Sequence, residues 1–190
     1  MGSVVWHITM SLDGFIAGPN DSMDWVVREW SDDGTDTRDI EVARSGIADD
    51  VLRSAGAILG GRRWYDVAVR LYNGVDGIYG GDWRGPVFVL THRRPDDGAN
   101  GSVTFVSMPL ADALAMALEA AKGRNVVIFG ADIARQCLQA RLLDEIVIHL
   151  APVLLGDGVR LYDSVGTDPI VLTRTALAAT GQLTDLRFRI

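Results

Sequence analysis

An apolar stretch that ends in two glycines and two arginines constrains the fold of this chain more than any other segment. Residues 55–59 are apolar, and Gly60-Gly61-Arg62-Arg63 follow them directly. This order predicts a buried strand, a tight turn and the start of a helix. A second apolar stretch, at 126–129, also ends at a glycine, Gly130, and leads into a helical pattern. Strands that alternate with helices in this way predict an α/β fold.

The other segments fit the same alternation and show no repeat or linker. Apolar, β-rich segments predict further strands at 4–9, 86–90, 103–106 and 145–150. Helical spacing predicts helices over 37–54, from 62 onward, over 109–121 and over 131–140. The segments 170–178 and 182–190 predict an antiparallel hairpin around Gly181. We therefore predict a single domain over 1–190.

Composition and charge exclude several classes of protein. The chain has 190 residues, of which 48% are hydrophobic, and a net charge of -7, which argues against nucleic acid as a partner. The single cysteine, Cys137, excludes a disulfide within the chain and favours a cytoplasmic location. No apolar run is long enough to span a bilayer, and the start of the chain lacks the basic region of a signal peptide.

Basic residues follow two of the predicted strands, in an otherwise acidic protein. Arg62 and Arg63 open a predicted helix, and Thr91-His92-Arg93-Arg94 follow the strand at 86–90. A helix N-terminus offers unpaired N–H groups to an anion, and glycines let the backbone approach it closely. Positive charge at that end is otherwise unfavourable, so the pattern favours phosphate binding over a solvated helix start. No Gly-x-Gly-x-x-Gly follows the first strand, so the Rossmann fingerprint is absent from the sequence.

Four motifs that occur in order resemble one known family. They are residues 11–18 (SLDGFIAG), 59–63 (LGGRR), 127–131 (VIFGA) and 151–158 (APVLLGDG). Together they are similar to the dihydrofolate-reductase-like superfamily, and within it to the RibD C-terminal type, the reductase domain of riboflavin biosynthesis. The resemblance covers nearly the whole chain.

This resemblance implies a fold and an activity. The fold is a mostly parallel, eight-stranded central sheet with helices on both faces, and relatives are often homodimers. The activity is hydride transfer from NADPH to a small pterin- or aminopyrimidine-like heterocycle, as in dihydrofolate reductase or 5-amino-6-(5-phosphoribosylamino)uracil reductase. The basic run that begins at Thr91 favours NADPH over NADH, because a 2′-phosphate needs hydroxyl or guanidinium partners.

The resemblance also implies cofactor-binding residues at several strand ends. In the family, one turn holds the adenosine phosphates and pyrophosphate of the cofactor, and its positions match Gly61, Arg62, Arg63 and Trp64. The strand end that meets the 2′-phosphate and adenine matches Leu90, Thr91 and His92. The second glycine turn, across the pyrophosphate, matches Gly130, Ala131, Asp132 and Ile133, and the positions that flank the nicotinamide match Thr9 and Ile16.

Substrate and catalytic residues are less sharply marked. Trp25 matches an aromatic position near the substrate pocket, and Trp30 is a second candidate, with burial in the core as the alternative for both. Asp13 and Glu29 are candidates for the catalytic acid, although Asp13 more simply accepts hydrogen bonds from the turn at Gly14.

Several alternatives and departures accompany these predictions. Trp64 stands where relatives have a small hydroxyl residue. His7 and His149 lie in apolar strands, which predicts hydrogen-bonded core histidines, and no group of residues has the spacing of zinc ligands. Two other functions stay open: a non-catalytic NADP(H)-binding module, and a dimeric interaction protein that pairs through its C-terminal strands.

Overall fold

The computed structural model describes residues 2–26, 46–71, 74–92, 103–163 and 168–190. Within these residues the strands are β1 Val4–Ser11, β2 Phe15–Ala17, β3 Ala55–Gly61, β4 Val87–Leu90, β5 Val103–Val106, β6 Asn125–Phe129, β7 Glu145–Ala151, β8 Val159–Arg160, β9 Thr173–Thr180 and β10 Leu183–Arg189. The α-helices are α1 Gly46–Ser54, α2 Arg62–Leu71, α3 Leu110–Ala120 and α4 Ala131–Gln139.

The strands form one large and one small sheet. The large sheet has eight strands in the order β5-β4-β3-β6-β1-β7-β10-β9, and the small sheet pairs β2 with β8. The pairs from β5 to β1 are parallel, whereas β10 runs antiparallel to both β7 and β9. The predicted α/β fold, with an eight-stranded, mostly parallel sheet and a C-terminal antiparallel hairpin, is confirmed.

The chain divides into two compact units. Unit 1 comprises Met1–Trp6 and Val51–Asp144, and unit 2 comprises His7–Asp50 and Glu145–Ile190. The chain passes from one unit to the other within β1, within α1 and just before β7. A single domain over 1–190 stays a prediction.

The core of unit 1 is built from strands that are apolar on both faces. Ile58 and Leu59 of β3 are fully buried, as are Val126 and Val127 of β6, the parallel neighbour of β3. Parallel strands covered on both faces show such continuous apolar runs. Helix α3 packs on β3 and β4. The runs therefore predicted the strands correctly.

Unit 2 carries the C-terminal hairpin. Strands β9 and β10 join through Gly181, whose φ of +54° suits glycine in a tight turn. Strand β9 forms the outer edge of the sheet, and its Leu177 is 58% exposed. A small apolar cluster on the unit contains Trp25, Ala151 and Leu183.

Some short elements differ from the sequence prediction. Neither strand β2, at 15–17, nor its partner β8 was predicted from the sequence. Both are too short to show a period. Gly158 brings the chain so close to β2 that a Cβ there would lie 2.1 Å from the carbonyl oxygen of Ala17. Residues Gly74–Gly81 form 3-10 turns, and the first half of the predicted helix at 37–54 lies outside the described residues.

Candidate functional site

Two glycine turns lie side by side at the carboxyl edge of unit 1. Strands β3 and β6 are parallel neighbours, and Gly60 pairs with Phe129 at their ends. Helix α2 begins at Arg62 and helix α4 at Ala131, so two helix N-termini follow these adjacent strands. Gly130 precedes α4 with a φ of +92°, a conformation that L side chains rarely adopt. Because backbone N–H groups at helix N-termini bind anions, these two helix starts are a candidate anion site.

The end of β4 lies on the other side of the first glycine turn. Gly61 of β3 pairs with Leu90 of β4. Thr91 is 6% exposed, and its backbone N–H donates to the carbonyl oxygen of Val106 at 3.0 Å. His92 is exposed. The structure thus brings the predicted segments 61–64, 90–92 and 130–133 to one edge of unit 1, whereas residues 93 and 94 lie outside the described residues.

An aromatic stack fixes the shape of the two turns. The indole of Trp64 lies on the ring of Phe129, with centroids 5.1 Å apart and planes 6° from parallel. A Cβ at Gly60 would lie 2.3 Å from Cε3 of Trp64. This packing holds the indole of Trp64 between Gly60 and Phe129. It adds a structural role to Trp64, whose contact with the cofactor stays a prediction.

A second apolar contact joins the turns. Ile133 of α4 is 3% exposed, and its Cγ1 would lie 3.1 Å from a Cβ at Gly61. The side chain of Ile133 therefore packs under the first turn. What this arrangement presents to a ligand is the backbone of the two helix starts rather than the side chain of Ile133.

The charged side chains at these helix starts make exposed pairs. Nε of Arg62 donates to Oδ1 of Asp66 at 2.7 Å, and these side chains are 38% and 54% exposed. Asp132 accepts hydrogen bonds from Arg135 and Gln136 on its own helix. An exposed pair four residues apart stabilises a helix by only about 0.3–0.5 kcal/mol. The pair of Arg62 with Asp66 is therefore weak.

Other predicted site residues belong to unit 2. Thr9 is half-buried on β1, and Ile16 is 5% exposed on β2. Trp25 is 6% exposed within the apolar cluster, which favours the core alternative for this side chain. Roles of these residues beside nicotinamide and substrate stay predictions. Glu29 and Trp30 lie outside the described residues.

The carboxylate of Asp13 accepts hydrogen bonds from Ser11 and from a distant loop rather than from the turn at Gly14. Its carboxylate accepts a hydrogen bond from Oγ of Ser11 at 2.6 Å, and one from the backbone N–H of Gly156 at 2.7 Å. The backbone N–H of Leu155 also donates to it, at 3.0 and 3.1 Å. These donors, led by the Ser11 hydroxyl, lower the pKa of Asp13 to about 2. The carboxylate is therefore ionised at neutral pH and joins two loops, which does not suit a proton donor.

Four hydrogen-bonded side chains, those of His7, His149, Asp185 and Thr180, form a polar row in unit 2. The sequence predicted only the two histidines. His7 and His149 are buried and hydrogen-bonded to each other, as the sequence predicted. Asp185 and Thr180, which extend the row, were not singled out. Knowledge of how β7 pairs with β10 would have revealed Asp185, because it lies directly opposite His149.

In the part of the chain described by the structure, no group of three acids, histidines or cysteines is arranged for a metal ion, and no helix is long and apolar enough to cross a membrane.

Comparisons with known families, sequences and solved structures agree on one family. The model of the RibD C-terminal domain family matches residues 3–184. The chain is 26% identical to the uncharacterized protein YwjB of Bacillus subtilis strain 168, over 97% of this chain and 95% of that protein. A putative riboflavin biosynthesis protein from Shewanella sp. PV-4 superposes with a TM-score of 0.75 at 23% identity, over 98% of both chains.

A larger protein shows the same fold. The diaminohydroxyphosphoribosylaminopyrimidine deaminase/5-amino-6-(5-phosphoribosylamino)uracil reductase of Thermotoga maritima superposes with a TM-score of 0.62 at 15% identity. The match covers 99% of this chain and 56% of that one.

Proposed function

Because the chain belongs to the RibD C-terminal domain family, we propose that it is an NADPH-dependent reductase. The acceptor is a small, flat heterocycle of pterin or aminopyrimidine type. The observation that carries the proposal is the meeting of three strand-end segments, at Gly61, Thr91 and Gly130, along one edge of unit 1. In open α/β sheets this edge is where ligands bind.

The residues at this edge fit the phosphate groups of NADPH. Gly130 has a backbone conformation that only glycine adopts easily, and it opens the N-terminus of α4. The backbone N–H groups at the starts of α2 and α4 would hold the pyrophosphate. Arg62 and Arg63 would supply positive charge, and Thr91 and His92 would meet the 2′-phosphate. When bound, the nicotinamide supplies the hydride.

Calorimetric titration of the purified protein with NADPH and with NADH tests this site. We expect tighter binding of NADPH than of NADH, because only NADPH carries the 2′-phosphate. The double variant Arg62→Gln/Arg63→Gln should weaken NADPH binding by roughly 10–100-fold, since hydrogen bonds to charged groups contribute about 1.5–3 kcal/mol. Arg70→Gln, near the other end of α2, is the matched control and should bind like the wild type. Absence of binding of either cofactor at millimolar concentration would contradict the proposal.

Turnover separates the reductase from the non-catalytic NADP(H)-binding module. Asp13 favours the second function, because its ionised carboxylate is held by two loops and offers no proton. Dihydrofolate and 5-amino-6-(5-phosphoribosylamino)uracil are the acceptors to test, with loss of NADPH absorbance as the signal. Turnover of either acceptor would establish the reductase, whereas tight NADPH binding without turnover of either would favour the binding module.

A further inference from the structure

Two histidine rings of the polar row contact each other directly. Nε2 of His7 lies 2.6 Å from Nε2 of His149, and the rings meet edge to face with their centroids 4.8 Å apart. A ring nitrogen of histidine either donates a hydrogen or accepts one. A hydrogen bond of this length therefore holds one proton between the two rings, and either ring can carry it.

A second proton cannot enter this gap without breaking the contact. With both Nε2 atoms protonated, two N–H groups would point at each other and neither nitrogen could accept a hydrogen bond. Water cannot replace the lost partner while the rings stay in place, because His7 and His149 are only 7% and 8% exposed. The histidine contact is therefore stable with one proton in the gap and broken with two.

The rest of the row holds His149 from its other side. Nδ1 of His149 contacts Oδ1 of Asp185, and Oγ1 of Thr180 donates to Oδ2 of the same carboxylate at 2.9 Å. Asp185 has no exposed surface, so its carboxylate depends on these partners. The ring of His149 thus cannot move away from His7 without also disturbing its contact with Asp185.

The row connects three strands to β1. His7 belongs to β1 and His149 to β7, whereas Asp185 and Thr180 belong to the hairpin strands β10 and β9. The four strands are consecutive in the large sheet, and all four residues lie in unit 2. The pair of Asp185 with His149 is the second of six residue pairs between β10 and β7, so the row lies near one end of this strand pairing.

The charges around the row also oppose a second proton. Burial is the first cause that lowers the pKa of His7 well below its ordinary value, and the neighbouring His149 is the second. Arg187 acts in the same direction and is itself paired with Glu145, with 2.8 Å between Nε and Oε2. Among the charged groups of the described residues that act on His7, Asp185 favours its protonated form. One carboxylate can balance one cationic ring but not two.

We propose that the polar row is an acid-sensitive lock, which holds β7, β10 and β9 to β1 at neutral pH and opens when both histidine rings take up a proton. The proposal concerns unit 2 by itself and does not depend on the proposed function. As the pH falls, the second proton breaks the contact of His7 with His149. The strands beyond that contact then lose their side-chain connection to β1 and open more often.

The sign of the pH effect follows from the lowered pKa of His7. In the unfolded chain this pKa is 6.5, so below that pH the unfolded state binds a proton that the folded state does not. The contribution of the lock is therefore present above pH 6.5 and is lost as the pH falls toward the folded-state pKa. For one such histidine, the equilibrium constant for unfolding should rise roughly 10–20-fold between pH 7 and pH 5.

Urea unfolding of the full chain at pH 7 and at pH 5, without cofactor, measures this effect. In the variant His7→Gln the amide can still hydrogen-bond to His149 but takes up no proton. His92 is the third histidine of the chain, is exposed and belongs to unit 1, so His92→Gln is the matched control. We expect the rise in the unfolding constant from pH 7 to pH 5 to be roughly 10–20-fold larger in the wild type and in His92→Gln than in His7→Gln. An equal rise in His7→Gln and the wild type would overturn the lock.

Amide hydrogen exchange of the wild type tests where the lock acts and needs no variant. After correction for the intrinsic pH dependence of exchange, protection of the amides in β9 and β10 should fall about tenfold from pH 7 to pH 5. Protection in β3 and β6 of unit 1 should fall less. Unchanged protection in β9 and β10, or an equal fall in both units, would overturn the lock.

Discussion

Gly60→Ala is the substitution for which the structure gives the sharpest expectation. Gly60 has a backbone conformation open to any residue, so the added methyl group is the whole perturbation. Its Cβ would lie 2.3 Å from Cε3 and 2.7 Å from Cζ3 of Trp64. The indole cannot move away without breaking its stack on Phe129, which lies 5.1 Å from it between ring centroids.

The expected loss of stability follows from overpacking. Forcing a methyl group into a packed site costs about 1–3 kcal/mol, and loss of an aromatic stack adds about 0.5–1.5 kcal/mol. A loss of about 2 kcal/mol lowers the Tm of a chain of this size by about 4–8 °C. Because the stack shapes both glycine turns, Gly60→Ala should also weaken NADPH binding.

Urea unfolding followed by circular dichroism measures this loss. Gly46→Ala is the matched control, because a Cβ at Gly46 would meet nothing within 4 Å. The double variant Gly60→Ala/Trp64→Leu should lose less stability than the sum of the two single variants, because leucine makes room for the methyl group. Equal unfolding free energies for Gly60→Ala and Gly46→Ala, or strict additivity in the double variant, would refute the reasoning.

Two further predictions concern unit 2. The pKa of Asp13 is lowered from 3.8 to about 2, so its contribution to stability is present above about pH 4 and is lost as the pH falls through 2. Asp13→Asn should therefore unfold at lower urea than the wild type at neutral pH, with a gap that closes toward pH 2; a gap that does not change with pH would contradict this. We also propose that the chain is a homodimer paired through its edge strand β9, where Leu177 is 58% exposed. Leu177→Lys should then halve the mass measured by light scattering, and an unchanged mass would exclude this surface.

The parallel strands of unit 1 could be predicted because their sequence carries the burial pattern. Ile58 and Val127 lie in apolar runs with no polar face, and each run ends at a glycine that opens a helix. The strand, the turn and the start of the helix are therefore each indicated by residues that are neighbours in the sequence. Their meeting at one edge follows from parallel pairing alone, so the edge that carries the candidate cofactor residues could also be predicted from the sequence.

The side-chain partners could not be predicted, because they depend on distant segments. Asp13 bonds to the backbone of Leu155, 142 residues away. Asp185 is a charged residue in a strand, a pattern typical of an exposed face, and only its register opposite His149 buries it. The stack of Trp64 on Phe129 likewise needs the pairing of β3 with β6.

The position of β6 between β3 and β1 has a consequence for synthesis of the protein. Val4, Val5 and Trp6 of β1 pair with residues 126–128 of β6, 122 residues later in the chain. At about 5–20 residues per second, a ribosome leaves roughly 6–24 s between making the two strands. In the folded protein these three residues of β1 are at most 4% exposed. During that interval, however, β1 has no strand to pair with. We expect the nascent chain to present this apolar segment to chaperones until β6 emerges and closes the sheet of unit 1.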